Sequence, residues 1–399
     1  MRKFVDFFGL RKSMVGVLGM VILIGLGEKM AERFLPIYLI ALGSGSYVVG
    51  LLNSLDNLLS ALYSYPGGWL ADRFGTKRSL LIFNLVAIMG YLIVIFVPTV
   101  WAVFLGSMLF VSWTALSLPA TMGLISEVLP AQKRTMGVSV HSFVRRIPMA
   151  LGPVLGGCLI TAYGPILGVK YAFVAALVMA LVAIGFQEAL IEGKQKTEKA
   201  IPTPGEPLEA LLGPELKQLL ISDILIRFCE QIPYPFVVIW CIKVHGLTGT
   251  EFGLLTTVEM VTAMLIYIPV AWLADRSTKK PFVLLTFLFF TSFPLVLMFC
   301  TSLWPLVLAF VVRGFKEFGE PTRKALIMDL APEGKKAAAF GTYYLWRDIV
   351  VSIGALSGAF LWEINPQANF VVAFLFGVIG TLWFAFKGME LPRVSGSPT

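Results

Sequence analysis

Trp69-Leu70-Ala71-Asp72-Arg73 and Trp272-Leu273-Ala274-Asp275-Arg276 are the same five residues met twice, 203 positions apart. Each closes a long apolar run, and the runs themselves match. Gly50-Leu51-Leu52, Asp56 and Pro66 recur as Gly253-Leu254-Leu255, Glu259 and Pro269. Outward from there the register holds at 202: Ile22-Leu23-Ile24 with Glu28 returns as Ile224-Leu225-Ile226 with Glu230. Further on, Pro119, Pro130, Arg145, Gly152 and Gly156 return as Pro321, Pro332, Arg347, Gly354 and Gly358. A chain of 399 residues that repeats itself at half its length is a duplicated unit.

The composition says where such a unit lives. Hydrophobic residues make up 57% of the chain and charged ones 14%, with a mean hydropathy of +0.82, far above a soluble domain of this size. The net charge of +8 comes from basic residues spread over short segments between apolar runs, the pattern of membrane topology, and no nucleic-acid partner is expected. Cys158, Cys229, Cys241 and Cys300 lie inside apolar runs without metal-ligand spacing, and His141 and His245 are the only histidines. No metal site, disulfide framework or cofactor follows. The apolar run after the basic start Arg2, Lys3, Arg11 and Lys12 is too long for a cleaved signal peptide and reads as the first span.

A spanning helix needs about 20 mainly apolar residues. Breaks at Gly, Pro and charge clusters divide the chain into twelve such runs, near 14–40, 46–70, 79–98, 102–128, 135–160, 168–187, 218–242, 249–272, 281–302, 304–330, 337–361 and 368–386. The connections 41–45, 99–101, 161–167, 243–248, 303 and 362–367 hold almost no Lys or Arg. The alternate set carries Arg73, Lys77, Arg78, Lys133, Arg134, Arg276, Lys279, Lys280, Lys335 and Lys336, which makes both termini cytoplasmic in a multi-pass protein of the cell membrane. Residues 188–217, rich in Lys, Glu, Pro and Gly, read as a solvated cytoplasmic linker between six-helix halves at 1–187 and 218–399. Six is even, so both halves enter with the same orientation, related by a pseudo-twofold along the membrane normal. The expected fold is thus an all-α membrane protein of two bundles that rock about a site near mid-membrane.

Gly68-Trp69-Leu70-Ala71-Asp72-Arg73-Phe74-Gly75-Thr76-Lys77-Arg78 closely resembles the signature GxLaDRxGxrk of the major facilitator superfamily, and with the duplication the resemblance covers essentially the whole chain. It implies a gating role for Gly68, Asp72, Arg73, Gly75, Lys77 and Arg78, with Gly68 allowing close approach of the eleventh span and Asp72 facing that span's positive end. Asp275 and Arg276 are the second copy, which has Ala271 in place of the first Gly. In the fifth span Gly152-Pro153-Val154-Leu155-Gly156-Gly157 is similar to the GPxxGG part of the family's antiporter motif, with Pro148 where a further Gly is usual. Gly152, Pro153, Gly156 and Gly157 are therefore packing candidates, and the resemblance leans toward efflux. The family's fourth span often carries an Arg where Val111 stands; the repeat partner, Arg313, keeps the charge.

Charges inside hydrocarbon cost about 2.5–3.5 kcal/mol each, so they should face the interior in pairs. The third, sixth, ninth and twelfth spans have uncharged cores, matching the outer scaffold the resemblance implies, while Glu28, Lys29, Glu32, Arg33, Asp56, Arg145, Arg146, Arg227, Glu230, Glu259, Arg313, Lys316, Glu317, Glu320, Arg347 and Asp348 lie in the others. In the tenth span Arg313 with Glu317 and Lys316 with Glu320 are i,i+4 neighbours, read as structural ion pairs. Arg145 and Arg347 lie at equal depth, about 15 Å into their spans. The two arginines either clamp an anionic group or neutralise acids such as Glu28, Asp56, Glu230 and Glu259. Glu230, Glu259, Glu32, Arg145 and Arg347 are accordingly the substrate-binding candidates.

For proton coupling the simplest carrier is a buried carboxylate that pairs in one state and not another. Asp56, roughly 24 Å from the cytoplasmic end of its span, comes first and Glu28 second. Glu32-Arg33-Phe34 is also similar to the ExxERF signature of proton-coupled peptide transporters, with Glu28 four residues ahead of Glu32 where that pattern has three. The leading expectation is a monomeric, proton-coupled exporter of a small amphiphilic or organic-ion solute. An importer or facilitator of an anionic metabolite or peptide, and a non-transporting membrane sensor, stand as alternatives. No nucleophile–base set or phosphate loop speaks for an enzyme.

Overall fold

The computed structural model describes residues 12–110, 143–191, 212–274, 278–332 and 336–389, and every regular element among them is helical. In chain order these are α1 (Lys12–Glu32), α2 (Leu35–Ala41), α3 (Ser46–Phe74), α4 (Thr76–Phe96), α5 (Val100–Phe110) and α6 (Arg146–Leu190). Then come α7 (Pro214–Gln231), α8 (Tyr234–Ile239) continued by a π turn over Trp240–Val244, α9 (Gly249–Ala274), α10 (Lys280–Phe299), α11 (Leu303–Phe315), α12 (Glu320–Leu330), α13 (Lys336–Ile364) and α14 (Pro366–Lys387). Among the described residues, seven helices are long and apolar enough to cross a membrane.

Several expected spans are broken where proline or glycine stands. The run at 14–40 leaves helical geometry at Phe34 (φ −108°, ψ 0°) and resumes with Pro36 in its first turn. The run at 218–242 breaks at Ile232–Pro233, before Tyr234-Pro235, and the run at 304–330 breaks over Lys316–Gly319, before Glu320-Pro321. A proline in a first turn loses no helical hydrogen bond, whereas the same proline inside a continuous helix would. The described part of the span expected at 135–160 and the span expected at 168–187 stand as the two limbs of α6, two helices that meet at Gly164 (φ 76°, ψ 172°), a non-helical conformation open essentially to glycine alone.

The chain forms two compact units, one of Met1–Pro202 with Cys241–Thr257 and one of Thr203–Trp240 with Val258–Thr399. In the first, α1 lies along both limbs of the bent α6. Gly19 meets Phe186 and Gly27 meets Ala176 on the far limb, while Gly152 and Gly156 meet Lys29 and Met30 on the near one. Without side chains at these points the backbones approach closely enough for dispersion to hold them, the main attraction available between helices in lipid. The other side of the near limb takes the start of α9: Gly157 touches Gly249, Gly253 touches Pro153, and the Thr257 hydroxyl donates to the Ala150 carbonyl at 2.7 Å.

In the second unit α7 is the central helix. Gly354 meets Phe228, Gly358 meets Ile232, and Gly377 meets Cys229 and Thr291. Gly156 on Met30 and Gly358 on Ile232 are one contact made twice, since both partners are shifted by 202. The sequence repeat is thus a repeat of packing. An apolar core of Leu216, Leu219, Phe287, Leu326, Ile327 and Phe384 closes one end of this unit.

Candidate functional site

Charge in the second unit is buried and linked. On α7, Arg227 Nη1 donates to Glu230 Oε2 at 2.6 Å, and Lys316, at the turn after α11, reaches Glu230 Oε1 and Glu259 Oε1, each at 3.0 Å. Glu259 on α9 is 0% exposed and is approached by Arg313 Nε at 3.3 Å. The Arg313 guanidinium packs against the rings of Tyr234, Phe293 and Phe310, so its charge is met by π faces as well as by a carboxylate. Below lies a second group. Arg323 pairs with Asp223 and, through Nη2, with Glu320 Oε1 at 2.8 Å; Tyr343 donates its hydroxyl to Asp223 at 3.0 Å. Arg347 is gripped by Asp348, Nε to Oδ1 at 2.7 Å, stacks 4.1 Å over the Tyr344 ring and stands 3.7 Å from Asp223. Among the described residues five acids (Asp223, Glu230, Glu259, Glu320, Asp348) face five bases (Arg227, Arg313, Lys316, Arg323, Arg347), and a sixth base, the exposed Lys324, reaches Glu320 at 3.4 Å.

The first unit holds less. Lys29 pairs with Glu28 at 3.2 Å and with Glu32, all on α1. On α3, Asp56 has its Oδ1 buried with no hydrogen-bond partner, and the neighbouring Asn57 amide is spent on the Asn53 carbonyl at 2.8 Å. Arg145 stands half-buried at a turn just before α6. Pro148, with no N–H to offer the carbonyl of Val144, accounts for the interruption.

Of the gating candidates, Gly75 separates α3 from α4 with φ 79° and ψ 154°, a glycine-only conformation. Ser79 secures that corner by donating its hydroxyl to Leu70 at 2.8 Å. Lys77 pairs with Glu188 at 3.0 Å, and the Gln187 amide donates to the Lys77 carbonyl at 2.7 Å, which ties the corner to the end of α6. Arg73 and Arg78 are exposed. The side chains at Gly68 and Asp72 lie outside the described residues, as do Asp275 and Arg276 and the expected partners Pro119, Pro130 and Val111.

The structure brings Glu230 and Glu259 together around Lys316, and it sets Glu28 and Glu32 on either side of Lys29. One expectation is corrected. The ion pairs of Arg313 and Lys316 run across helices to Glu259 and Glu230, because the Lys316–Gly319 turn interrupts the helix on which i,i+4 stacking of Lys316 with Glu320 depends. Asp223 and Arg323 were absent from the candidates. The signal for Asp223 was its i,i+4 spacing from Arg227.

A membrane chain built twice, helical in every regular element among its described residues and with charge held inside, defines a solute-transporter architecture. The family model of the Major Facilitator Superfamily matches residues 17–229 and again 219–398, and the chain belongs to that family. It is 22% identical over 366 residues to a protein named "Tetracycline resistance protein, class H" from Pasteurella multocida, covering 89% of this chain and 90% of that one. It is 24% identical over 362 residues to a "Na(+), Li(+), K(+)/H(+) antiporter" from Planococcus maritimus, covering 82% and 83%. Among solved structures, a peptide transporter in complex with sulfate superimposes with a TM-score of 0.76 at 15% identity over 94% of each chain, a likeness of fold.

Proposed function

We propose that this multi-pass membrane protein is a secondary active transporter of twelve spans in two six-helix bundles, 1–187 and 218–399, with both termini and the 188–217 linker cytoplasmic. It exports a small amphiphilic or organic-ion solute in exchange for protons by alternating access. The motif at Gly68–Arg78 gates the cytoplasmic side, with Asp72 set against the start of the eleventh span. The observation that carries the coupling is Asp56, a carboxylate at membrane depth with a buried oxygen that no hydrogen bond satisfies. Such an oxygen is costly, and the cost is relieved by a proton in one state and by a cation in another. Glu28, tied to Lys29, is the second carrier. The names of the tetracycline resistance and Na(+), Li(+), K(+)/H(+) antiporter relatives support the direction. An anion importer is disfavoured by the grip of Asp348 on Arg347, which an incoming anion must break.

Proteoliposomes test this. An imposed proton gradient drives uphill solute movement by the wild type, while Asp56→Asn keeps solute binding and downhill exchange but loses the gradient response. Full gradient-driven transport by both Asp56→Asn and Glu28→Gln removes these two carriers.

A further inference from the structure

Lys316 stands apart from the other cations of the second unit. Both carboxylates it pairs with already have an arginine: Glu230 has Arg227 at 2.6 Å and Glu259 has Arg313 at 3.3 Å. The Lys316 ammonium is a third cation, placed 3.0 Å from both acids at once. The two arginines are permanently charged, and Arg313 is wedged among three aromatic rings. Lys316 is a point charge on a long flexible stem. It is borne by the residue that caps α11, at the start of the Lys316–Gly319 turn, so helix supports its backbone on one side only. The slot it fills is lined by two carboxylate oxygens and, on one flank, by the face of Phe290, 5.9 Å from Nζ.

We infer that the Lys316 ammonium is a tethered occupant of a substrate slot, and that the solute is an organic cation whose protonated amine replaces it between Glu230 and Glu259. The exchange is one cation for one cation, so the charge balance of the buried network is the same before and after. The solute's apolar part lies against Phe290, and the lysine stem swings out on its turn. No bond is made or broken. The inference rests on the transporter reading and names its substrate class.

The test is equilibrium binding to the full-length protein in detergent, with 4-phenylbutylammonium as probe and 4-phenylbutyrate as its anionic counterpart. The wild type binds the ammonium and not the carboxylate. An occupant that blocks the slot lowers apparent affinity by the fraction of time the slot is vacant, so Lys316→Met should bind the ammonium about tenfold more tightly. Lys316→Arg keeps the charge and the ion pairs, and its fork bridges both acids, so it should bind about tenfold more weakly; it decides the matter if Lys316→Met does not fold. Equal ammonium affinity in wild type and Lys316→Arg, or preference for the carboxylate, overturns the slot. Binding is read without a gradient, so its failure is separable from that of coupling. Ammonium binding that responds to Lys316 alongside transport indifferent to both Asp56→Asn and Glu28→Gln sinks the carriers and leaves the slot.

Discussion

The two repeats share two interior acids and differ in how those acids are held. Glu28, Asp56 and Arg145 stand at the positions of Glu230, Glu259 and Arg347, yet the second repeat adds Asp223, Arg227, Arg313, Lys316, Glu320 and Arg323 where the first has Val21, Gly25, Val111, Thr114, Leu118 and Thr121. At Gly25 the first unit brings Pro148 against bare backbone; at the matching place the second unit carries the Arg227 guanidinium. At this place one half packs its first helix by close approach and dispersion, while the other sets an ion pair there. A lysine is shared by two acids in each: Lys29 by Glu28 and Glu32 along one helix, Lys316 by Glu230 and Glu259 across helices. The duplicated acids are Glu28 with Glu230 and Asp56 with Glu259, and their counter-ions are placed differently in the two halves.

The largest effect should come from breaking the net in the second unit. Arg323 and Asp223 are each 1% exposed, so Arg323→Met leaves a buried carboxylate with the Tyr343 hydroxyl and the more distant Arg347. Removing one partner of such a pair costs about 3–5 kcal/mol, whereas removing both in favour of apolar side chains is often neutral. The double variant Asp223→Val with Arg323→Met, which gives position 223 the residue of the first repeat, should recover most of the loss. Thermal unfolding of the purified protein reads both. If the double variant is as unstable as the single, the net contributes stability outright and the two halves are not alternative solutions to one packing problem.

A smaller and symmetric effect is expected where the halves agree. A Cβ on Gly156 meets the backbone of Met30, and a Cβ on Gly358 meets the backbone of Ile232. Gly156→Val and Gly358→Val should each cost about 1–3 kcal/mol, the range for overpacking a tight contact, and by similar amounts. Loss at one site with none at the other would show that the shared contact bears load in only one repeat.

What was legible in the sequence follows the same division. The duplication, the helical class, the interior acids and the close-packing glycines depend on spacing within a helix or on a fixed offset, and a linear reading recovers both. The Asp223–Arg323 pair joins residues 100 positions apart, and no spacing rule reaches that far. The break at Lys316–Gly319 was hidden for a different reason. The apolar run before it is continuous, and Gly319 at the helix start lies against Phe282 and Thr286, more than thirty positions away. Gly164-Pro165, by contrast, reads as a break between two runs, and there the chain leaves helical geometry between the two limbs of α6.

The smallest energetic effect, and the most direct check on the shared orientation of the halves, lies at two tryptophans. Phe96 and Trp101 flank the α4–α5 connection and recur 203 residues later as Phe299 and Trp304 at the α10–α11 connection. All four are highly exposed, Trp101 at 81% and Trp304 at 79%. Both connections are among those nearly free of Lys and Arg. Tryptophan gathers at the boundary between acyl chains and headgroups, where the ring is half solvated and its N–H finds a partner. If the repeats enter the membrane alike, the two residues lie at one depth in the outer leaflet. Trp101→Ala and Trp304→Ala should each shift stability by no more than about 0.5 kcal/mol, as for exposed positions generally. Differences in emission between wild type and each variant isolate the two indoles, and both should be quenched most by lipids brominated near the headgroup and equally by each lipid. Quenching of one indole by mid-chain bromines and of the other by aqueous iodide would place them at different depths, and the parallel entry of the two halves would fall with that result.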